Sequence, residues 1–247
     1  MIATPGTTIL ESYVAAPETI LRQNPLFESL SDEACAALGT RMEVCTRQRG
    51  ETIFSYMEDG QALFLVVSGR AKVHLHDEQG RELILADLGP GHLFGEMSVL
   101  DDCPRSATVT MAETGEVASL SRDGLYSAIE EHPTVAMAFL QMLSRRLREA
   151  DQVIFDLAMR DVVDRLARML LLAAGPKVPG ERYAIEGLPA QAEIAARIGA
   201  SRETISRAVA NFRRLGLLSN EGRQLYINEA FKDRYGHLIA SGVDDNV

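Results

Sequence analysis

Ala136, Leu140, Leu143, Leu147, Ala150, Ile154 and Leu157 follow one another at spacings of 4, 3, 4, 3, 4 and 3. A 3.5-residue repeat keeps one narrow apolar seam on the same side of a helix, and a partner helix closes such a seam. A helix that packs only on its own domain shows a wider face with a period nearer 3.6. The stretch is expected to form a dimerisation helix over 132–160, with Pro133 in its first turn. Asp161, a charge on the next seam position, should end the zipper. A helix buried within one subunit is the alternative. Arg145, Arg146, Arg148 and Glu149 fall off the seam and are expected in solvent.

Before the seam the pattern changes. From about Pro25 to Asp123 short apolar runs alternate with glycine, and Gly50, Gly60, Gly69, Gly80 and Gly91 recur every nine to eleven residues. Ala62–Val67, Ala71–Leu75 and Glu82–Leu88 have strand length and are rich in Val, Ile and Leu. Short strands with glycine turns predict an antiparallel sandwich or barrel. Spacing alone leaves a β domain without any site equally open.

After the seam, Val162, Val163, Leu166, Ala167, Met169 and Leu170 predict an amphipathic helix, and Gly175-Pro176 and Pro179-Gly180 a loop. Pro189 is read as opening the next helix, whose apolar face is Ile194, Ala195 and Ile198. Gly199 stops it, because glycine adopts the left-handed conformation needed just past a helix end. Ser201 caps a following helix that buries Ile205, Val209 and Phe212. Thr204 stands where a capping box has Glu or Gln, so the cap is single. Two helices about a short Gly-containing turn make a helix-turn-helix. Leu217-Leu218, Asn220-Glu221-Gly222-Arg223 and Leu225-Tyr226-Ile227 predict a hairpin wing.

The exposed side of the second helix carries chemistry. Arg202, Glu203, Ser206 and Arg207 lie in its first two turns, away from Ile205 and Val209. Arginine binds guanine O6 and N7 bidentately, and glutamate accepts from cytosine N4. Recognition helices read base edges with their N-terminal residues, while Ser201 and Thr204 are placed to hold phosphates. A solvated charge pattern is the alternative, but helix, turn, cap and wing agree on DNA reading.

Charge bears on that reading. The formal net charge is −10 over 247 residues, which opposes nucleic-acid binding taken whole. Residues 1–130 hold 20 acids and 9 bases, whereas 131–247 hold 15 acids and 16 bases. From Pro189 to Gly216 five arginines face two glutamates, so a local basic stripe survives. Residues 1–25 have no basic residue before Arg22, and Glu11 and Glu18 interrupt the apolar stretch, so no signal peptide is expected. No apolar run reaches the ~18 residues of a membrane helix. Cys35, Cys45 and Cys103 form no C-x-x-C pair, which fits a reducing cytoplasm rather than a disulfide framework or a zinc site.

From about Pro25 onward the chain resembles the CRP/FNR superfamily of bacterial transcription regulators. Three motifs carry the resemblance: Phe94-Gly-Glu-Met-Ser-Val-Leu with Pro104-Arg-Ser-Ala-Thr108, the heptad helix, and Ser201-Arg-Glu-Thr-Ile-Ser-Arg207. The implied fold is α+β: an antiparallel β-roll of the cyclic-nucleotide-binding type, a coiled-coil dimer helix and a winged helix-turn-helix. The implied organisation is an N-terminal extension at 1–24, a sensor domain at 25–131, the dimerisation helix at 132–160 and a DNA-binding domain at 161–247. The implied partners are a second copy of the chain, a palindromic operator read in the major groove, and RNA polymerase; no membrane is expected. Residues matching Arg202, Glu203 and Arg207 read a G-containing half-site in the family, while Ser206-Arg207 also matches its FNR branch.

The first motif looks like the phosphate-binding cassette of cyclic-nucleotide domains. A Gly95-Glu96-Met97 turn opening a helix offers main-chain N–H groups to a phosphate. Arg105 adds a charge-assisted bond, Ser106 a hydroxyl donor, and Glu96 accepts from a ribose 2′-hydroxyl. The alternative is a Glu96–Arg105 salt bridge in a vestigial pocket, with a regulator that works without ligand or an interaction module that does not read DNA. In the cAMP-binding branch two adjacent hydroxyl residues on the long helix hold adenine. Ala150 and Asp151 occupy those places here. An ionised Asp151 accepts without donating, which suits the N1–H and N2–H₂ of guanine better than the single amine of adenine. The expected effector is a cyclic nucleotide, with cGMP or cyclic di-GMP favoured and cAMP held weakly or in a changed pose; no other cofactor is required.

Other sensors and activities fit less well. Three scattered cysteines do not supply the four ligands of an iron–sulfur cluster. His74 and His76, on one strand face, are read as exposed strand residues and His92 as a turn residue, not as haem ligands. No nucleophilic triad, paired carboxylates or H-E-x-x-H sequence is present, so no enzyme is expected.

Overall fold

The computed structural model describes residues 16–240 apart from 23, 25, 26, 29 and 223. Most of the expected N-terminal extension, and Arg223 of the expected wing, lie outside the described residues. The chain divides into two compact units, one running to Lys72 and from Asp87 to Gln141, the other Val73–Ala86 and from Met142 onward.

Two short helices, α1 (Pro17–Leu21) and α2 (Asp32–Gly39), precede the strands β1 (Glu43–Arg47), β2 (Thr52–Phe54), β3 (Ala62–Val66), β4 (Arg70–His76), β5 (Glu82–Leu88) and β6 (Leu93–Phe94). Then come α3 (Glu96–Asp101), β7 (Thr108–Glu113), β8 (Gly115–Ser121), α4 (Arg122–Glu131) and the long α5 (Thr134–Met159). The strands form two four-stranded sheets, ordered β1-β8-β3-β6 and β2-β7-β4-β5, with antiparallel pairings such as Leu63↔Leu120 and Leu65↔Ala118. Apolar residues Leu63, Leu65, Phe94, Val109, Met111 and Leu120 fill the core. The expected antiparallel β architecture is thus present. Helices α2 and α4, absent from the glycine-and-strand reading, start on the serine caps Ser31 and Ser121, which accept N–H groups from Ala34 and Gly124.

Helix α5 keeps the heptad seam on its surface. Leu140, Leu147 and Ile154 are 56%, 64% and 62% exposed, while Val135, Ala138, Phe139 and Met142 on another face are buried. Met137, Val153 and Phe155 widen the exposed apolar surface beyond the strict seam. The helix ends at Met159 because Asp161 caps the next one: its carboxylate accepts the Asp164 N–H at 2.8 Å. Pro133 sits just ahead of the helix rather than in its first turn.

The C-terminal unit continues with α6 (Val162–Leu172), β9 (Ala174–Val178), β10 (Arg182–Ile185), α7 (Gln191–Ile198), α8 (Arg202–Arg214), β11 (Leu218–Glu221), β12 (Gln224–Asn228), α9 (Glu229–Tyr235) and α10 (His237–Ala240). Its sheet has the order β11-β12-β10-β9. Gly175 and Pro176, expected in a loop, lie in β9; this is an edge strand, where a proline without an N–H is tolerated. Phe212, Phe231 and Tyr235 stack edge-on and tilted at centroid distances of 5.0–5.6 Å and anchor α9 to α8. Among the described residues no helix is long and apolar enough to cross a membrane.

Candidate functional site

Helix α7 begins at Gln191 with Ala190 at its N-cap, so Pro189 precedes the helix instead of opening it. Gly199 ends it at φ 64°, ψ 50°, and the Ala200 N–H closes the turn on the Ala195 carbonyl at 2.9 Å. Ser201 then caps α8: its Oγ accepts the Thr204 N–H at 3.2 Å and lies 2.9 Å from the Thr204 hydroxyl. Such a cap contributes about 1 kcal/mol. Ile205, Ala208, Val209 and Phe212 are buried, and each large side chain among them contributes roughly 1.5–3 kcal/mol.

That burial leaves Arg202, Glu203, Ser206 and Arg207 exposed together on the opposite side, with Thr204 half-buried. Arg207 Nη2 reaches the Thr204 hydroxyl at 3.4 Å. The Glu203 carboxylate is held below its usual range by its own main-chain N–H, then by the Ser201 hydroxyl, with Arg202 and Arg207 adding to the effect. It stays ionised, as an acceptor for a cytosine amine must. The wing strands β11 and β12 pair in register Leu218↔Ile227 to Glu221↔Gln224, and Arg213 bonds Asn220 at 3.0 Å, tying α8 to the wing.

One residue of this apparatus was not singled out by the sequence. Arg165, on α6, donates through Nε to the Ile198 carbonyl at 2.9 Å, through Nη2 to Gly199 at 3.4 Å and through Nη1 to Arg160 at 2.8 Å. A cation there satisfies the carbonyl end of α7 and fixes the turn to the start of the domain. Beside it, Asp156 pairs with Arg160 at 3.2 Å and Arg168 at 3.3 Å across the α5–α6 junction.

In the other unit, Gly95 opens α3 at φ 76° and offers no side chain to cap it. Arg105 is 4% exposed. Its Nη1 donates to Gly95 O and its Nη2 to Ala62 O, both at 2.7 Å, while Nε has no hydrogen-bond partner among the described residues. The guanidinium lies 4.1 Å over the Phe54 ring. Burial pushes its pKa below the usual value, and the Glu58 and Glu96 carboxylates oppose that. Glu96 is itself buried, at 2% exposure. Ser106 is exposed and its hydroxyl contacts Met97 Sδ at 3.6 Å. Gly95, Glu96, Met97, Arg105 and Ser106 therefore come together. Asp151 is an exposed residue of α5 and belongs to the other compact unit.

Neither Phe54 nor Gly60, read as a turn residue only, is marked as part of this site by its sequence context. Gly60 is the one member of the glycine series without a positive φ, and it stands where a side chain would strike Arg105.

Residues 45–132 match the cyclic nucleotide-binding domain and residues 164–230 the Crp-like helix-turn-helix domain. A CRP-like cAMP-activated global transcriptional regulator of Mycobacterium tuberculosis is 34% identical over 216 residues, covering 86% of this chain and 96% of that protein. The chain belongs to the CRP/FNR family of transcription regulators. Among solved CRP/FNR relatives, the catabolite activator protein of Thermus thermophilus is 34% identical, with 87% of this chain and 100% of that chain covered and a TM-score of 0.51. The c-di-GMP-responsive global regulator of Xanthomonas campestris shares the fold at 21% identity and a TM-score of 0.70, over 80% of this chain and 99% of that one. As a CRP/FNR member the protein is a DNA-binding transcription regulator with a cyclic-nucleotide-binding domain.

Proposed function

We propose that the protein works as a homodimer whose two α8 helices enter successive major grooves, and that a cyclic nucleotide seated at Arg105 sets its operator affinity. The exposed seam of α5 supports the dimer: Leu140, Leu147 and Ile154 stay open on a helix whose first turns are already packed through Val135, Ala138, Phe139 and Met142. Two-fold symmetry then implies a palindromic operator with half-sites about one helical turn, ~34 Å, apart, the docking geometry general to helix-turn-helix dimers and to this family. Arg202, Glu203 and Arg207 read base edges; Ser201 and Thr204 contact phosphate. RNA polymerase is a further partner on family grounds.

The observation that carries the effector reading is the buried Arg105 beside the uncapped start of α3. Burial makes this cation costly even with the Glu58 and Glu96 carboxylates acting on it, and a phosphate monoanion adds negative charge and acceptors at the guanidinium. Main-chain N–H groups from Glu96 to Ser98 and the Ser106 hydroxyl complete a donor set that suits phosphate, and the Glu96 carboxylate suits a ribose hydroxyl. The bound nucleotide would supply negative charge and hydrogen-bond acceptors there. The relative from Mycobacterium tuberculosis is cAMP-activated by name, which favours cAMP. Asp151, an exposed acceptor on α5, favours a guanine base instead.

Sequence selection from randomised duplex DNA by the full-length protein, with and without cAMP, cGMP and cyclic di-GMP, tests this reading. Enrichment of a palindrome containing G in each half-site is expected. Recovery of no preferred sequence under any condition would overturn it in favour of a module that does not read DNA.

A further inference from the structure

Residues 74–82 assemble a cluster that neither DNA reading nor nucleotide binding uses. The strand period puts His74 and His76 on one face of β4. The hairpin after them is held firmly: the Asp77 N–H bonds Arg81 O and the Gly80 N–H bonds Asp77 O, both at 3.0 Å. The Asp77 carboxylate also accepts from the main chain of Gln79 and Arg81 at 2.9 Å, and from Arg81 Nε at 2.6 Å. The Asp77–Arg81 pairing sets His76 and Glu82, the next residues outward, on facing strands.

The structure corrects the reading of both histidines as exposed. His74 is buried, at 6% exposure, while His76 is open to solvent. Their rings meet edge-on with centroids 5.0 Å apart. His74 Nδ1 stands 3.4 Å from Glu82 Oε1. One ligand atom from each of His74, His76 and Glu82 falls within 4.8 Å of the other two.

We propose that His74, His76 and Glu82 bind a divalent transition-metal ion, with Zn²⁺ as the best match. The 3.4 Å separation of Nδ1 and Oε1 is long for a hydrogen bond. It equals the edge, about 3.4 Å, between two ligands each ~2.1 Å from a tetrahedral centre. A histidine–glutamate ion pair accounts for two of the three groups and leaves the second imidazole without a role. Two imidazoles and one carboxylate suit zinc, iron(II), cobalt(II) or nickel(II), whereas magnesium and calcium prefer oxygen ligands. The rigid turn and the buried ring reduce the ordering needed on binding, and the exposed His76 leaves an entry path. With three protein ligands, a coordination position stays open to water or another donor.

The test is calorimetric titration of untagged, chelator-treated full-length protein with Zn²⁺, alongside visible absorption with Co²⁺ and thermal unfolding with and without Zn²⁺. One Zn²⁺ per chain at micromolar or tighter affinity is expected, with a raised melting temperature and no comparable binding of Mg²⁺. His76→Gln, at an exposed position, and Glu82→Gln, at a half-buried one, should each weaken binding by about tenfold or more, since even an outer-shell partner of a metal ligand is worth that much. His92→Gln, at an exposed turn, should leave it unchanged. Absence of binding below millimolar Zn²⁺ would overturn the proposal. So would unchanged affinity in the folded His76→Gln/Glu82→Gln double variant, which would put the ion on other residues such as the cysteines.

Discussion

A methyl group on Gly60 would stand 2.3 Å from Cζ and Nε of Arg105. The two residues are far apart in sequence, and the turn after β2 brings the bare backbone of Gly60 against the guanidinium. Gly95 closes the other side, where an added Cβ would meet Nη1 at 2.7 Å. The cation is thereby cradled between two glycines and the Phe54 ring.

Gly60→Ala should therefore displace Arg105, at a stability cost of about 1–3 kcal/mol from overpacking. Chemical denaturation measures the cost. Nucleotide affinity measured by calorimetry should fall in the same variant, while a variant on the solvent side of the hairpin, Gln79→Ala, should change neither.

Arg207→Ala should cost about 1–3 kcal/mol on the preferred operator and relax selection at one base position per half-site. Binding to a panel of single-base operator variants and to random DNA checks this. An equal loss on random DNA would make Arg207 a phosphate contact.

Leu147→Glu places a charge in the exposed seam of α5 in both copies. Dimerisation, followed by analytical sedimentation, and operator affinity should fall together. A variant that stays dimeric would place the interface elsewhere.

Asp151→Ala separates the two readings of the base. If the effector carries guanine, the substitution should weaken cGMP or cyclic di-GMP binding by about tenfold, the worth of one charge-assisted hydrogen bond. If the effector is cAMP, micromolar or tighter cAMP binding should survive the substitution unchanged. Calorimetric titration of both proteins distinguishes these outcomes.

What the sequence revealed was local. The seam of α5, the strands β3 to β5 and the Gly199–Ser201 turn are each set by residues close in the chain, and each is found within a residue or two of its expected place. Helices α2 and α4 are short, and what they bury is mostly small: Ala34, Cys35, Ala37 and Leu38 in α2, Leu125 and Ala128 in α4, so their patterns fade; Ser31 and Ser121 carry the start signal. Pro176 lies in a strand because the position is an edge, a property of sheet order that composition does not encode. The candidate sites divide in the same way. The face of α8 follows from helical period and capping. Arg105 was found by its motif, but its contacts with Phe54 of β2, Gly60 of the turn after it and Ala62 of β3 come from residues distant in sequence, and the pairing of His74 with Glu82 is set by the register of the hairpin.

The most direct measurement is operator affinity of the full-length protein, with and without cAMP, cGMP and cyclic di-GMP, for the wild type and Arg105→Ala. One nucleotide should raise wild-type affinity by about 5–150-fold, the usual range of coupling between two sites. Arg105→Ala should keep the ligand-free affinity and lose the response. Equal wild-type affinity in the presence and absence of every nucleotide, with Arg105→Ala indistinguishable from wild type, would contradict the account and leave a regulator that reads DNA without an effector.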